Sequence, residues 1–317
     1  MKLNKLWQSG SFSQFNGVNN IMIKYARFCN KKHTKCLVIS SGRSESYLKY
    51  EELITELFHQ GFDIFILDHR GQGLSERMLK NTHKGYVEHF NDYAEDLNTF
   101  ITSIVEPHCL TKQKAIYLLA HSMGSTIALR YFQLYKHPIK AAVLSSPMIT
   151  FNQGVLPLWL TKIIIKSAQF INQTLSKTPW YFIGQGDYCA KAFEENLLTH
   201  STSRYQKFIT LYQQKPQIQL GGVTIKWLSE SLKARDAIFT HLAKLTLPIQ
   251  VIQSGADKVV DNKAQDDFCQ QLHQLNPTSC PNGKPVIINQ AKHELFIEAD
   301  DYRNKTIKAA LNWFAQH

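Results

Sequence analysis

The sequence predicts an α/β chain, a mostly parallel sheet flanked by helices with one helical insertion, and three observations predict it. Short apolar runs alternate with segments of helical spacing over residues 21–148. One apolar run, 115–119, passes through Ala120-His121-Ser122-Met123-Gly124 directly into a helix-compatible stretch from Ser125. The alternation then stops after Ser146-Pro147-Met148 and resumes only at Leu247.

In chain order, residues 21–28 read as a strand, and 36–39 as a second. A loop, Ser40-Ser41-Gly42-Arg43-Ser44-Glu45, leads into a helix over 47–60 with Leu48, Leu53, Leu57 and Phe58 on one face. Residues 63–67 form the next strand and 91–105 a helix. The strand 115–119 is followed by a helix over 125–135 and a strand over 141–144. From 149 to 236 no strand–helix alternation is visible. Leu156, Trp159, Ile163, Ile164, Ile165 and Phe170 crowd a helical stretch instead, and Pro179, Gly184 and Gly186 punctuate a loop. Residues 247–252 and 285–289 return to strand character around a helix at 263–275. The expected organisation is a core domain of 1–148 plus 237–317, with 149–236 a lid over the carboxyl ends of the strands, where sheets of this class place their sites.

The junction at Ser122 carries the chemistry. A serine between a strand and a helix sits on a tight bend with its Oγ clear of the backbone and the next N–H aimed at the same space. The familiar G-x-S-x-G pattern is altered only at its first glycine, here Ala120, while Gly124 is kept. A serine hydroxyl needs a base to take its proton and a carboxylate to orient that base. In α/β-hydrolases these follow in the order Ser, acid, His. Asp257 stands just past the strand at 247–252, and His293 just past the strand at 285–289. Ser122, Asp257 and His293 are therefore the expected nucleophile, acid and base. Asp261 reads as the N-cap of the helix that follows it, His121 as a residue packed behind the bend, and His69 as a turn residue. The backbone N–H groups of Met123 and Arg43 are the expected oxyanion donors, the second from the loop after the strand at 36–39.

The 317 residues are 44% hydrophobic and 19% charged, which suits a globular core plus an insertion and excludes a disordered or fibrous chain. The start, Met1 to Gly10, has no apolar h-region, and no apolar stretch reaches the ~20 residues of a bilayer span, so a cytoplasmic protein is expected. Six cysteines lack C-x-x-C pairs and regular spacing, which predicts reduced thiols and no metal site; no cofactor motif is present either. The 36 Lys plus Arg against 25 Asp plus Glu, a net +11, favour anionic surfaces. The basic residues are dispersed and form no nucleic-acid motif, so nucleic acid is excluded as a partner. Lys162 and Lys166 beside Trp159 and Ile163 suit an anionic membrane surface. Trp159 and Ile163 are also the expected substrate-binding residues of an apolar acyl channel under the lid.

The segments Gly42-Arg43-Ser44-Glu45-Ser46-Tyr47, Asp68-His69-Arg70-Gly71-Gln72-Gly73-Leu74-Ser75, His89-Phe90-Asn91-Asp92-Tyr93, Leu119-Ala120-His121-Ser122-Met123-Gly124 and Val259-Val260-Asp261-Asn262, in this order, resemble the bacterial inner-membrane lysophospholipases of the monoglyceride-lipase-like α/β-hydrolase family. The likeness runs from about residue 12 to the carboxyl end. It implies an α/β-hydrolase fold and deacylation of lysophospholipids at the inner face of the cytoplasmic membrane, possible acyl transfer to another lipid, and roles for Ser122, Asp257 and His293. Relatives often carry His-Gly where this chain has Ser41-Gly42. The same three residues would also serve a monoacylglycerol lipase, a general carboxylesterase or an aminopeptidase, and an idle site would leave a lipid-binding protein without catalysis.

Overall fold

Alternating strand residues commit their side chains to two opposite faces, and in this chain both faces are apolar. Leu37 and Ile39 pack with Leu53, Ile54, Trp313 and Phe314 on one side, while Cys36 and Val38 pack with Leu97, Phe100 and Ile127 on the other. A strand apolar on both faces belongs inside a sheet covered by helices twice over. The computed structural model describes residues 5–152, 154 and 156–317. Residues 1–4, the first part of the start read above for a signal, and Gln153 and Val155 in the stretch after residue 148 lie outside them.

A single eight-stranded sheet runs in the order β1-β2-β4-β3-β5-β6-β7-β8. The strands are β1 (Ser11–Asn16), β2 (Met22–Phe28), β3 (Lys35–Ser40), β4 (Phe62–Leu67), β5 (Ala115–His121), β6 (Ile139–Ser145), β7 (Ile249–Ser254) and β8 (Val286–Ile288). The β1–β2 and β2–β4 pairs are antiparallel, and every pair from β4 through β3 to β8 is parallel. The helices are α1 (Lys5–Ser9), α2 (Glu51–His59), α3 (Asn91–Phe100), α4 (Glu106–Cys109), α5 (Met123–Leu134), α6 (Leu158–Leu175), α7 (Thr202–Gln214), α8 (Ile225–Thr240), α9 (Asn262–Leu275) and α10 (Asp300–Gln316). The helix expected over 91–105 continues from α3 through a π-helical turn, Ile101–Val105, into α4.

Four features differ from the sequence reading. The hairpin strand β1 was not expected, because Ser11-Phe12-Ser13-Gln14-Phe15-Asn16 is polar and edge strands need only one apolar side. The boundary drawn between residues 236 and 237 falls inside α8, which runs unbroken to Thr240 because Leu232, Ala234 and Ile238 carry its packing onto the core. The helix expected from residue 47 opens as a 3₁₀ turn, Tyr47–Tyr50, capped by the Ser46 hydroxyl. Lastly, Cys36 and Cys109 are joined in a disulfide, against the expectation of reduced thiols. They lie 73 residues apart in sequence, and only the packing of the α3–α4 arm on β3 brings them side by side.

The β5–α5 junction is a tight, strained turn. Ser122 has φ 50° and ψ −119°, a conformation that side-chain-bearing residues rarely adopt. Its N–H donates to the Ser145 carbonyl at 3.0 Å, and its own carbonyl accepts from Met148 N at 3.1 Å and from Ser125 N at 3.0 Å. These bonds hold the strained turn against β6. Two residues later Gly124 lies directly over the end of β3, where a Cβ would collide with the Ser40 and Ser41 carbonyl oxygens. Both obstacles are backbone and cannot swing away, so Gly124→Ala is expected to destabilise the protein by about 1–3 kcal/mol as an overpacking change. Urea denaturation of the variant checks this; an unchanged midpoint contradicts it.

Candidate active site

The parallel strands deliver their loops to one edge of the sheet. β5 ends one residue before Ser122, the loop after β7 carries Asp257, the loop after β8 carries His293, and the loop after β3 carries Arg43. The three side chains expected from the sequence meet. His293 Nδ1 lies 2.7 Å from Asp257 Oδ2, and His293 Nε2 lies 2.9 Å from Ser122 Oγ. With Nδ1–H donating to the carboxylate, Nε2 is left as the acceptor of the serine hydroxyl. The other carboxylate oxygen of Asp257 accepts from the backbone N–H groups of Val259 and Val260 at 2.8 and 3.1 Å, which fixes the group from behind. Ser122 and His293 are both buried. Asp261, the competing acid, accepts instead from Lys263 N and Ala264 N and caps α9.

The loop after β3 is clamped by the segment after β4. The Asp68 carboxylate accepts from Tyr47 N at 2.6 Å, Ser46 Oγ at 2.9 Å and Leu74 N at 2.7 Å, and Gln72 Nε2 donates to the Gly42 carbonyl at 2.7 Å. Burial pushes Asp68 up to about 7 against those hydrogen bonds. His69 is more than a turn residue: it is fully buried, pairs with Ser40 Oγ at 3.0 Å, and burial lowers it to about 3, so its ring is neutral. Gly42 thereby lies against His121 at the bend, and Arg43 and Ser122 line the same cavity. Met123 is the first residue of α5, so its N–H precedes any intrahelical acceptor, and no described backbone carbonyl accepts from Arg43 N. These are the two amides expected to face an oxyanion.

A second polar cluster borders the first and was missed in the sequence. Lys49 pairs with Glu294 at 2.7 Å and with Glu45, and His121 Nε2 lies 3.3 Å from the other Glu294 oxygen. Tyr50 OH and the Gly42 N–H both donate to Glu45. Burial alone would raise the Glu294 carboxyl, but Lys49 and His121 outweigh it and hold the group well below the usual carboxylate range. His121, lowered by burial and raised more by Glu294 and Glu45, ends above its ordinary value. The signal was present, since His121 and Glu294 are the immediate neighbours of Ser122 and His293.

Above these groups lies a cavity of about 610 Å³, walled mainly by apolar side chains that include Met148, Phe151, Leu156, Ile165, Phe182 and Val260. Ser122 and His293 stand in its floor. The expectation for Trp159 and Ile163 is corrected here. Both lie on the outer face of α6, 64% and 52% exposed, and the helix turns Thr161 and Ile165 to the cavity instead. Two residues along a helix is a rotation of about 200°, which is why the neighbouring pair faces the opposite way. Glu45, His121 and Glu294, and separately Cys29, Asp63 and His108, cluster closely enough to suggest metal ligands. Lys49 already occupies the first set and Lys114, 2.6 Å from Asp63 Oδ2, the second.

The family model described as "Serine aminopeptidase, S33" matches residues 31–300. The chain is 35% identical to "Lysophospholipase L2" of Escherichia coli strain K12, over 99% of this chain and 90% of that protein. It is 32% identical to "Probable lysophospholipase L2" of Haemophilus influenzae, over 94% and 91% of the two chains. Among solved structures, a soluble variant of monoglyceride lipase from Saccharomyces cerevisiae matches with a TM-score of 0.73 at 17% identity, covering 100% of this chain and 96% of that one. With a family match across most of its length and near full-length relatives above 30% identity, the chain belongs to the monoglyceride-lipase-like α/β-hydrolases.

Proposed function

We propose that the chain is a lysophospholipase that cleaves the acyl ester of its substrate through Ser122, His293 and Asp257. One observation carries the reading, the continuous hydrogen-bonded line from Asp257 Oδ2 through both nitrogens of His293 to Ser122 Oγ at the floor of an apolar cavity. The names of the two full-length relatives supply the substrate class. His293 Nε2 takes the hydroxyl proton as Ser122 Oγ attacks the ester carbonyl carbon. The oxyanion that forms is met by the Met123 and Arg43 amides, and Asp257 balances the imidazolium. The imidazolium then protonates the departing glycerol oxygen, leaving an acyl-serine. Water, deprotonated by the same nitrogen, attacks the acyl-serine; the fatty acid leaves and the serine hydroxyl is restored. An acceptor lipid hydroxyl entering in place of water would receive the acyl group.

The apolar cavity wall gives the acyl chain a dry path. Residues between β6 and the start of α8 act as the lid over it. The outer face of α6 docks this lid to an anionic membrane. Trp159, Ile163 and Phe170 are exposed there, at 64%, 52% and 68%. Lys166 and Lys177 are exposed beside them with no acidic partner among the described residues. No described helix is long and apolar enough to cross a membrane.

Ser122→Ala should lower the turnover of lysophosphatidylethanolamine on the order of 10⁶-fold. Asp257→Asn should lower it about 10⁴-fold through the wrong imidazole tautomer. Asp261→Asn should leave turnover near normal and lose at most about 1 kcal/mol of stability. Retained hydrolysis in the Ser122 variant, or a larger loss at Asp261 than at Asp257, contradicts the assignment. Parallel assays on monoacylglycerol, p-nitrophenyl butyrate and amino-acid anilides test the substrate class, and preference for an anilide overturns it. In flotation with vesicles, Trp159→Ser with Phe170→Ser should weaken binding to anionic lipid roughly tenfold or more. Equal binding of both proteins contradicts the docking face.

A further inference from the structure

Two cations stand in the cavity wall, Arg43 and Lys49, and their surroundings differ. Lys49 is matched by two carboxylates, Glu45 and Glu294. Arg43 has no carboxylate within ion-pair distance among the described residues. One guanidinium nitrogen, Nη2, donates to the Gly221 carbonyl, and the group stacks over Trp227 with its central carbon 5.5 Å from the ring centre. Its Nε is buried with no hydrogen-bond partner. Gly85 makes room for the group, since a Cβ there would come within 2.6 Å of Nη2. Burial lowers the guanidinium to about 10, with Tyr93 and Tyr181 opposing the shift, so it stays charged at neutral pH. An unneutralised cation with a buried, unpartnered donor in the wall of a binding cavity is costly to the empty protein and favours an anion in the filled one.

The identity of the anion follows from where Arg43 begins. In the proposed reaction its backbone amide meets the ester oxygen, and its guanidinium lies one arginine side chain away, ~6 Å of covalent reach. In a monoacyl glycerophospholipid six bonds separate the ester carbon from phosphorus, ~7 Å when extended. The two spans match, and a planar guanidinium is suited to phosphate oxygens. We propose that the Arg43 side chain is the head-group subsite of the cavity, holding the substrate phosphate while its own backbone amide meets the ester. This rests on the lysophospholipase reading and extends it, because it makes Arg43 the residue that separates phosphorylated from neutral monoacyl esters.

The test has a binding arm that needs no turnover. In Ser122→Ala protein, a hexyl-ether glycerophosphate should bind at least tenfold more tightly than hexyl glycerol ether by calorimetry. Adding Arg43→Gln should remove that difference, and Arg43→Lys should restore part of it. In active protein, the ratio of kcat/KM for a lysophospholipid over the monoacylglycerol of equal chain length should fall roughly 30-fold with Arg43→Gln. A disturbance passed through the backbone amide alone would lower both substrates together and leave the ratio unmoved, which overturns the proposal. So does a phosphate preference that survives Arg43→Gln, or one absent from the parent protein. If the phosphate preference in binding depends on Arg43 but the active protein cleaves no lysophospholipid, the subsite stands and the proposed reaction falls.

Discussion

The left-handed backbone of Ser122 is the constraint on which the rest of the structure depends. At φ 50° the residue sits where side-chain-bearing residues pay about 1–3 kcal/mol, and the turn persists because its neighbours over-determine it. The Ser145 carbonyl at the end of β6 and the Met148 N–H just beyond it grip the residue, and Gly124 presses α5 onto the end of β3. The same bend lifts Oγ out of the sheet, exposes the first N–H of α5 and brings the β3 loop alongside. A relaxed turn would misplace all three together. Strain here is coupled to position, and it is held by backbone contacts that no side-chain rotation can relieve.

The electrostatics are built on the same economy of chain. His121 and Ser122 are consecutive, as are His293 and Glu294, yet each pair divides its work. Ser122 and His293 form the hydrogen-bonded line to Asp257, while His121 and Glu294 turn the other way and join Lys49 and Glu45. The buried ion cluster thus ties the end of β5 to the segments after β3 and β8 through charges that water cannot screen. Breaking it would leave uncompensated buried charge, so the cluster anchors the segments around the imidazole. Neither set of residues is adjacent in sequence to the third element, the loop carrying Glu45 and Lys49. The connection exists only in the folded chain.

Much of this was legible in the sequence. The parallel strands, the strand–turn–helix at Ser122 and the carboxylate and histidine just past β7 and β8 follow from local patterns that survive folding, because a buried parallel strand must be apolar and its site residues must follow its carboxyl end. What could not be read depended on contacts between distant segments. The Cys36–Cys109 bond and the Asp68 clamp on Tyr47 and Ser46 leave no periodic trace. Trp159 and Ile163 show a subtler failure. The apolar character of α6 was visible, but with both of its faces apolar the pattern did not say which one met the cavity, and Ile165 rather than Ile163 does so. The role of the Arg43 side chain was hidden for a similar reason, since the sequence motif draws attention to its backbone amide.

The central claim is that Ser122 alone among the many hydroxyls of this chain is activated, by His293 and Asp257 acting through one line of hydrogen bonds. Reaction of the folded protein with a fluorophosphonate probe, followed by peptide mass spectrometry, tests it most directly. The account predicts a single adduct on the peptide containing Ser122, formed by the folded protein and lost on denaturation or after His293→Ala. An adduct on another serine, or labelling that survives loss of the imidazole at the same rate, would contradict it.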